Sequence, residues 1–291
     1  APMPNPPHFR ELLDRPGIIV VPAVHDALTA RIAESVGFSA VGMGGFLVAA
    51  SRRGRPDVGE LTMTEMADHL RGIAGAVSVP VVADADTGYG NPLNVRRTVA
   101  EYEAAGAQAI ILEDQLWPKK CGHFPGARPV IPTEEHQKKI EAALDARRDP
   151  RTVIIARTDA RGPLGFEEAI SRARAYRDAG ADAIFIEAPA SIEELREAPR
   201  RLPGVPLLAN MVTFGKTPIV TNAEIERMGY RIVLWVVDVL FAIARTAKEV
   251  LSELYANGTT AGVSGRLMGW EEYLKLVGLP EYQALERRYA G

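Results

Sequence analysis

"AAGAQAIIL" (residues 104–112) and "DAGADAIFI" (178–186) are two copies of one phrase, which returns as "SVGFSAVGM" (35–43) and "RMGYRIVLW" (227–235). Each copy starts as the end of a helix, passes a glycine (Gly37, Gly106, Gly180 or Gly229) and turns into an apolar run. A glycine just past a helix supplies the left-handed cap that a Cβ disfavours. The runs are apolar without alternation, as strands are when both faces are covered. A helix feeding a two-sided strand, repeated along the chain, implies a parallel sheet.

Four further runs behave alike: "GIIVVPA" (17–23), "VPVVADAD" (79–86), "TVIIARTD" (152–159) and "VPLLANM" (205–211). Together they predict eight strands, at 17–22, 40–43, 79–84, 109–113, 153–157, 183–187, 206–210 and 232–236. Amphipathic stretches such as 64–76, 92–105, 133–148, 165–179 and 239–256 predict helices between or after them. Parallel neighbours need right-handed crossovers. Eight units in about 240 residues fit a closed (β/α)8 barrel, an α/β fold. The rival, a doubly wound open sheet, would want a G-x-G-x-x-G loop, and "GMGGF" (42–46) lacks that spacing. The expected organisation is one barrel domain over 1–291, with a proline-rich arm at 1–8 and a helical tail at 258–291.

With 291 residues, 47% hydrophobic and 24% charged, the chain has the composition of an ordinary globular protein. A net charge of −3 with interspersed signs gives no footprint for nucleic acid or an anionic membrane. No apolar run approaches the roughly 18 residues of a membrane span, and the start has no apolar signal core. One cysteine cannot close an intrachain disulfide, so a reducing, cytoplasmic setting is expected.

Barrels of this kind carry their chemistry at the C-terminal ends of the strands. Those ends are polar here: Asp84 and Asp86 after the third run, Glu113 and Asp114 after the fourth, Arg157 and Asp159 after the fifth, Glu187 after the sixth, Asn210 after the seventh. Carboxylates gathered at one mouth repel one another unless a cation sits between them. Hard oxygen ligands suit Mg²⁺, with Mn²⁺ as the alternative. Arg157 and Asn210 would anchor an anionic substrate, arginine by its paired donors; a plain ion pair from Arg157 to Glu187 is the structural alternative.

The lone thiol, Cys121, lies in "EDQLWPKKCGH" (113–123). A single cysteine is commonly a small buried hydrophobe. Lys119, Lys120 and His123 beside it predict instead a lowered thiol pKa.

"EDQ…PKKCGH", with "DADTGYGN" before it and "ARTDA", "IEAP" and "ANMVTFGKTP" after it, resembles the isocitrate lyase and phosphoenolpyruvate mutase superfamily, in its lyase branch. That branch holds methylisocitrate lyases, dimethylmalate lyases, oxaloacetate hydrolases and a carboxyphosphonoenolpyruvate mutase. The resemblance covers about residues 8–285. It implies a barrel whose last helix is exchanged between subunits of a homo-oligomer, usually a tetramer, acting on a small di- or tricarboxylate. It also implies Mg²⁺ bound directly by Asp84, with Asp57, Asp86 and Glu113 acting mostly through waters. Cys121 matches the catalytic cysteine, with Lys119, His123 and Arg157 around the reaction. Glu187, Asn210, Thr213 and the backbone of Met43, Gly44 and Gly45 match substrate-binding positions. The implied reaction cleaves a 2-hydroxy dicarboxylate to a 2-oxo acid and a second acid. Oxaloacetate hydrolysis or decarboxylation, a phosphonate-pathway mutase and a non-catalytic carboxylate-binding barrel are the alternatives.

Some positions depart from the lyase pattern. Gly42 and Gly44 stand where side chains usually hold substrate, Thr213 replaces a glutamate, and Trp235, Val236 and Asp238 alter the eighth strand end. The glycines predict a roomier substrate wall, and Thr213 a lost charge.

Overall fold

The structure, a computed structural model, describes residues 7–126 and 128–290. Eight parallel strands close into a barrel in chain order, with the eighth paired to the first. They are β1 (Ile19–Val24), β2 (Val41–Met43), β3 (Val81–Asp84) and β4 (Ala107–Glu113), then β5 (Val153–Thr158), β6 (Ala183–Ile186), β7 (Leu207–Met211) and β8 (Ile232–Trp235). All eight predicted strands are present, with ends within a residue or two of expectation.

The first helices are α1 (Phe9–Asp14), α2 (Ala27–Val36), α3 (Gly45–Val48), α4 (Met63–Ala74), α5 (Pro92–Ala105) and α6 (Thr133–Ala146). There follow α7 (Arg161–Leu164), α8 (Phe166–Asp178), α9 (Ile192–Arg201) and α10 (Asn222–Met228). The last three are α11 (Asp238–Asn257), α12 (Trp270–Leu276) and α13 (Leu279–Tyr289). Sequence dictates their ends. Thr62 with Glu65, and Thr221 with Glu224, form capping boxes at the starts of α4 and α10. The four repeat glycines all have positive φ, between 99° and 108°.

Side chains pointing inward, among them Val21, Ile111, Ile155, Phe185, Leu208 and Leu234, fill the barrel. Two outer clusters join the sheet to its helices. Helix α1, absent from the sequence expectation, closes the N-terminal end. Its Phe9, Leu12 and Leu13 join the inner cluster, and the Leu12 and Leu13 carbonyls accept from Arg231, just before β8, at 3.0 and 2.8 Å. The proline-rich arm expected at 1–8 lies mostly outside the described residues.

The tail behaves differently. α11 buries none of its residues and leaves Val239, Phe241, Ile243, Leu251, Leu254 and Tyr255 exposed. α12 touches α2, where Arg31 Nη1 donates to the Leu276 carbonyl at 3.0 Å. Only the start of α11 docks on the barrel among the described residues, through Leu240 against the inner cluster and Phe241 against Phe46. Among the described residues, no helix is long and apolar enough to cross a membrane.

Candidate active site

A cavity of about 220 Å³ opens at the C-terminal ends of the strands. Every site residue expected from the sequence lines it except Asp86, which stands just behind.

At the acidic end, Asp84 closes β3 and is held by two backbone donors, Gly45 N–H and Asp86 N–H, each at 3.0 Å. Lys119 Nζ sits 2.7 Å from both Asp57 and Asp86. Burial pushes the Asp86 carboxyl up to about 7 against the pull of Lys119, with Asp84 and Asp57 adding to the rise. Burial also lifts Glu113 well above the usual carboxylate range. Gly45 leaves room for this cluster. A Cβ on it would lie 2.8 Å from Lys119 Nζ and 3.0 Å from Asp86 Oδ1. Asp86 itself takes a positive φ of 48°, a strained conformation for a side-chain-bearing residue, kept at the mouth.

Across the cavity, Arg157 is gripped in two-point fashion by Asp159, at 2.8 and 2.9 Å. Glu113 and Glu187 stand further off, at 3.3 and 3.6 Å. The simple Arg157–Glu187 pair is thus not the main contact; Asp159 is nearer and better aligned. Burial opposes ionisation of Glu187, yet Arg157, His123 and Asn210 hold its carboxyl down at about 2. Asn210 Nδ2 donates to Glu187 at 3.2 Å. His123 Nε2 approaches Glu187 to 2.8 Å. Its Nδ1 accepts from Lys216 N–H at 3.1 Å, which leaves the ring proton on Nε2.

The Cys121 loop lies between these ends. The expected lowering of the thiol pKa is reversed: burial pushes it up to about 11, with Glu187 and Asp57 adding to the rise and Arg157 opposing it. Lys119 has turned away to Asp57 and Asp86, and Lys120 is exposed. The thiol is therefore an S–H at neutral pH.

The substrate wall also differs from expectation. The room freed by Gly42 is not open, because a Cβ there would lie 2.9 Å from Leu234 of β8 and 3.2 Å from Val21 of β1. Gly44 faces Leu47 at 3.3 Å. Trp235 leaves the cavity and donates its indole N–H to Asn222 at 2.8 Å. The charge lost at Thr213 returns from another element, since its hydroxyl donates to Asp238 at the start of α11, at 2.5 Å. The wall instead gains aromatic edges, with Phe46 at their centre. Phe46 meets Phe124 and Phe241 edge-on, with ring centres 6.1 and 6.4 Å apart. Sequence reasoning missed Gln115 and Lys216, which hold the loop, although both stand inside the quoted motifs.

Among the described residues, no three His, Cys, Asp or Glu side chains already form a ligand sphere for a metal ion. The Lys119 ammonium pairs with Asp57 and Asp86, two of the three carboxylates that the resemblance placed behind waters. The donor set still fits a hard dication at Asp84 and Glu113. Asp84 and Glu113 line the cavity, and Glu113 Oε1 is buried with no hydrogen-bond partner. Asp57, Asp84, Asp86 and Glu113 face the Lys119 ammonium, and Arg157 reaches only Glu113 of the four while it is also held by Asp159, a surplus of carboxylates that a dication would balance.

The family model for phosphoenolpyruvate phosphomutase matches residues 9–255. The chain belongs to the phosphoenolpyruvate mutase/isocitrate lyase superfamily. It is 46% identical over 282 residues to a 2,3-dimethylmalate lyase of Eubacterium barkeri, covering 97% of each chain. It is 45% identical over 275 residues to a 2-methylisocitrate lyase of Aeropyrum pernix, covering 94% of this chain and 88% of that one. A solved oxaloacetate acetylhydrolase with 3,3-difluorooxalacetate superposes with a TM-score of 0.92 at 36% identity, over 98% of this chain and 96% of that one. With relatives of 45–46% identity named as lyases, the chain is an enzyme of the superfamily's lyase kind.

Proposed function

We propose that this enzyme is a Mg²⁺-dependent lyase that splits a 2-hydroxy dicarboxylate bearing an apolar 3-substituent. The products are a 2-oxo acid and a second carboxylic acid. One observation carries this reading: a single cavity joins an acidic end, the Cys121 thiol and an aromatic wall. Asp84 and Glu113 would hold the ion, with Mn²⁺ as a substitute. A bound Mg²⁺ supplies Lewis-acid stabilisation of negative charge as it develops on the 2-oxo acid oxygens.

The chain's own groups supply the rest. Asp159 fixes Arg157 through Nε and Nη2, which leaves Nη1 to donate to a substrate carboxylate. As the 2-hydroxyl loses its proton towards the acidic end, its carbon–oxygen bond becomes a carbonyl. The C2–C3 pair then leaves with C3, delocalised onto the neighbouring carboxylate. The Cys121 S–H stands ready to return a proton to that carbon, as a general acid. Phe46, Phe124, Val212 and Phe241 offer the 3-substituent an apolar seat.

That seat predicts a trend. Across malates of increasing 3-alkyl size, kcat/KM should rise about fourfold for each added methylene that fits, the worth of ~0.8 kcal/mol of burial. Methylisocitrate, which brings a third carboxylate to the apolar side, should be the poorer substrate. Initial rates on malate, 3-alkyl malates, methylisocitrate and oxaloacetate, each with and without Mg²⁺, test the reading. A flat series, or a preference for methylisocitrate, would refute it.

We also propose that the enzyme works as a homo-oligomer, a tetramer on the family's pattern, in a reducing cytoplasm. Beyond its first turn, α11 leaves Ile243, Leu251, Leu254 and Tyr255 exposed among the described residues, and a second copy would cover them. Sedimentation equilibrium at micromolar concentration should give about four times the 31.5 kDa chain mass. A stable monomer of that mass would overturn this reading.

A further inference from the structure

Gln115 lies under the Cys121 loop, 2% exposed, and its amide is hydrogen-bonded at both ends. Oε1 accepts the Lys120 N–H at 3.0 Å, and Nε2 donates to the Lys120 carbonyl at 2.9 Å. The other Nε2 hydrogen goes to Asp159 Oδ1, at 3.0 Å. The backbone around it is fixed too. Gln115 bridges Val130, and Leu116 N–H donates to the Pro129 carbonyl at 2.9 Å. Asp159 is braced from behind by Asp114, whose Oδ1 accepts its N–H at 2.8 Å. In front, its carboxylate holds Arg157. One amide therefore joins the main chain between Lys119 and Cys121 to the carboxylate that aims Arg157.

We propose that Gln115 is a positioning residue that makes the Cys121 loop and the Arg157 anion clamp one cooperative unit. The inference rests on the reading of Arg157 as substrate anchor. Its logic is donor against acceptor. A carboxylate can only accept, so Asp159 fixes which end of the Gln115 amide is nitrogen and hence presents Oε1 to the Lys120 N–H. If the Lys120 main chain moves away, a buried acceptor and a buried donor lose their partners together, which is costly. Coupling of this kind is reciprocal. Filling the clamp steadies the loop, and seating the loop steadies the clamp.

Lys216 supplies the control. Its ammonium donates to the Gly122 and Phe124 carbonyls at 3.0 and 3.1 Å, holding the same loop from the other side. It has no hydrogen bond to Asp159 or Arg157 among the described residues. Cys121 is the chain's single cysteine, so reaction with 5,5′-dithiobis(2-nitrobenzoate) reports on this loop alone. Oxalate with Mg²⁺, followed by calorimetry, probes the clamp.

Gln115→Ala should react at the thiol about tenfold faster than wild type and bind oxalate about tenfold more weakly, within the usual range of coupling between sites. Lys216→Ala should share the faster thiol reaction but keep oxalate affinity within about threefold. Should Gln115→Ala not fold, Gln115→Glu, which keeps the shape and the acceptor but removes both donors, carries the same expectation. A folded Gln115 variant with wild-type oxalate affinity overturns the coupling. If wild type does not bind oxalate, the functional reading fails instead, and the thiol rates still decide: a Gln115 variant no faster than wild type severs the tie to the loop.

Discussion

Asp84→Ala should lose ~1000-fold or more in kcat and lose Mg²⁺ binding, while melting within a few degrees of wild type. The carboxylate closes β3 and faces the cavity, where its two oxygens take only backbone donors, from Gly45 and Asp86. Deleting it frees those two N–H groups, a cost of ~1–3 kcal/mol if they stay buried. It also relieves repulsion, since the Asp84 charge helps to raise the Asp86 carboxyl. The two effects on stability oppose one another, whereas both metal binding and rate should fall. Mn²⁺ binding followed by electron paramagnetic resonance separates the metal's loss from the rate's loss. A folded Asp84→Ala protein that binds Mn²⁺ as wild type does, or turns over fully in EDTA, would remove Asp84 as a ligand.

The barrel was legible because its signal is local and repeated. Each of the four glycines ends a helix and begins a two-sided strand, and strand-end polarity follows from parallel order alone. What stayed hidden depends on neighbours brought together by closure. Lys119 and Lys120 flank the cysteine in sequence, yet one is drawn to Asp57 and Asp86 and the other points to solvent, so proximity along the chain misjudged the thiol. Gly42 reads as vacated space until β8 sets Leu234 against it. Thr213 and Asp238 read as two separate departures, although they are partners across the mouth. The short helix α1 escaped notice because its six residues, next to a proline-rich start, are too few for periodicity to show. Gln115 was in plain view, but an amide has no chemistry of its own to announce; its meaning comes from Lys120 and Asp159.

Cys121→Ser should keep oxalate affinity within about threefold and lose ~10²–10⁴-fold in kcat, the usual worth of a positioned proton donor. Serine changes little in shape, and Cys121 itself is tied in through its main chain: Cys121 N–H donates to the Asp57 carbonyl at 3.2 Å and Phe124 N–H to the Cys121 carbonyl at 3.1 Å. What changes is the acid. Burial lifts the thiol from an ordinary 9.0 to about 11, so wild type keeps its proton across the neutral range and donates it to an incipient carbanion. The competent form is the protonated one. The step should therefore hold at pH 8–9 and weaken only as the pH climbs towards 11; a lowered thiol would have failed near neutrality. An alcohol is a far weaker acid and returns the proton much more slowly. Were Cys121 only a packed core residue, the serine variant would melt earlier and turn over at the wild-type rate per folded molecule. Thermal melts beside single-turnover rates, from pH 6 to 10, separate the two accounts. An unchanged rate in a folded Cys121→Ser protein would take the proton-donor role away from the only thiol in the chain.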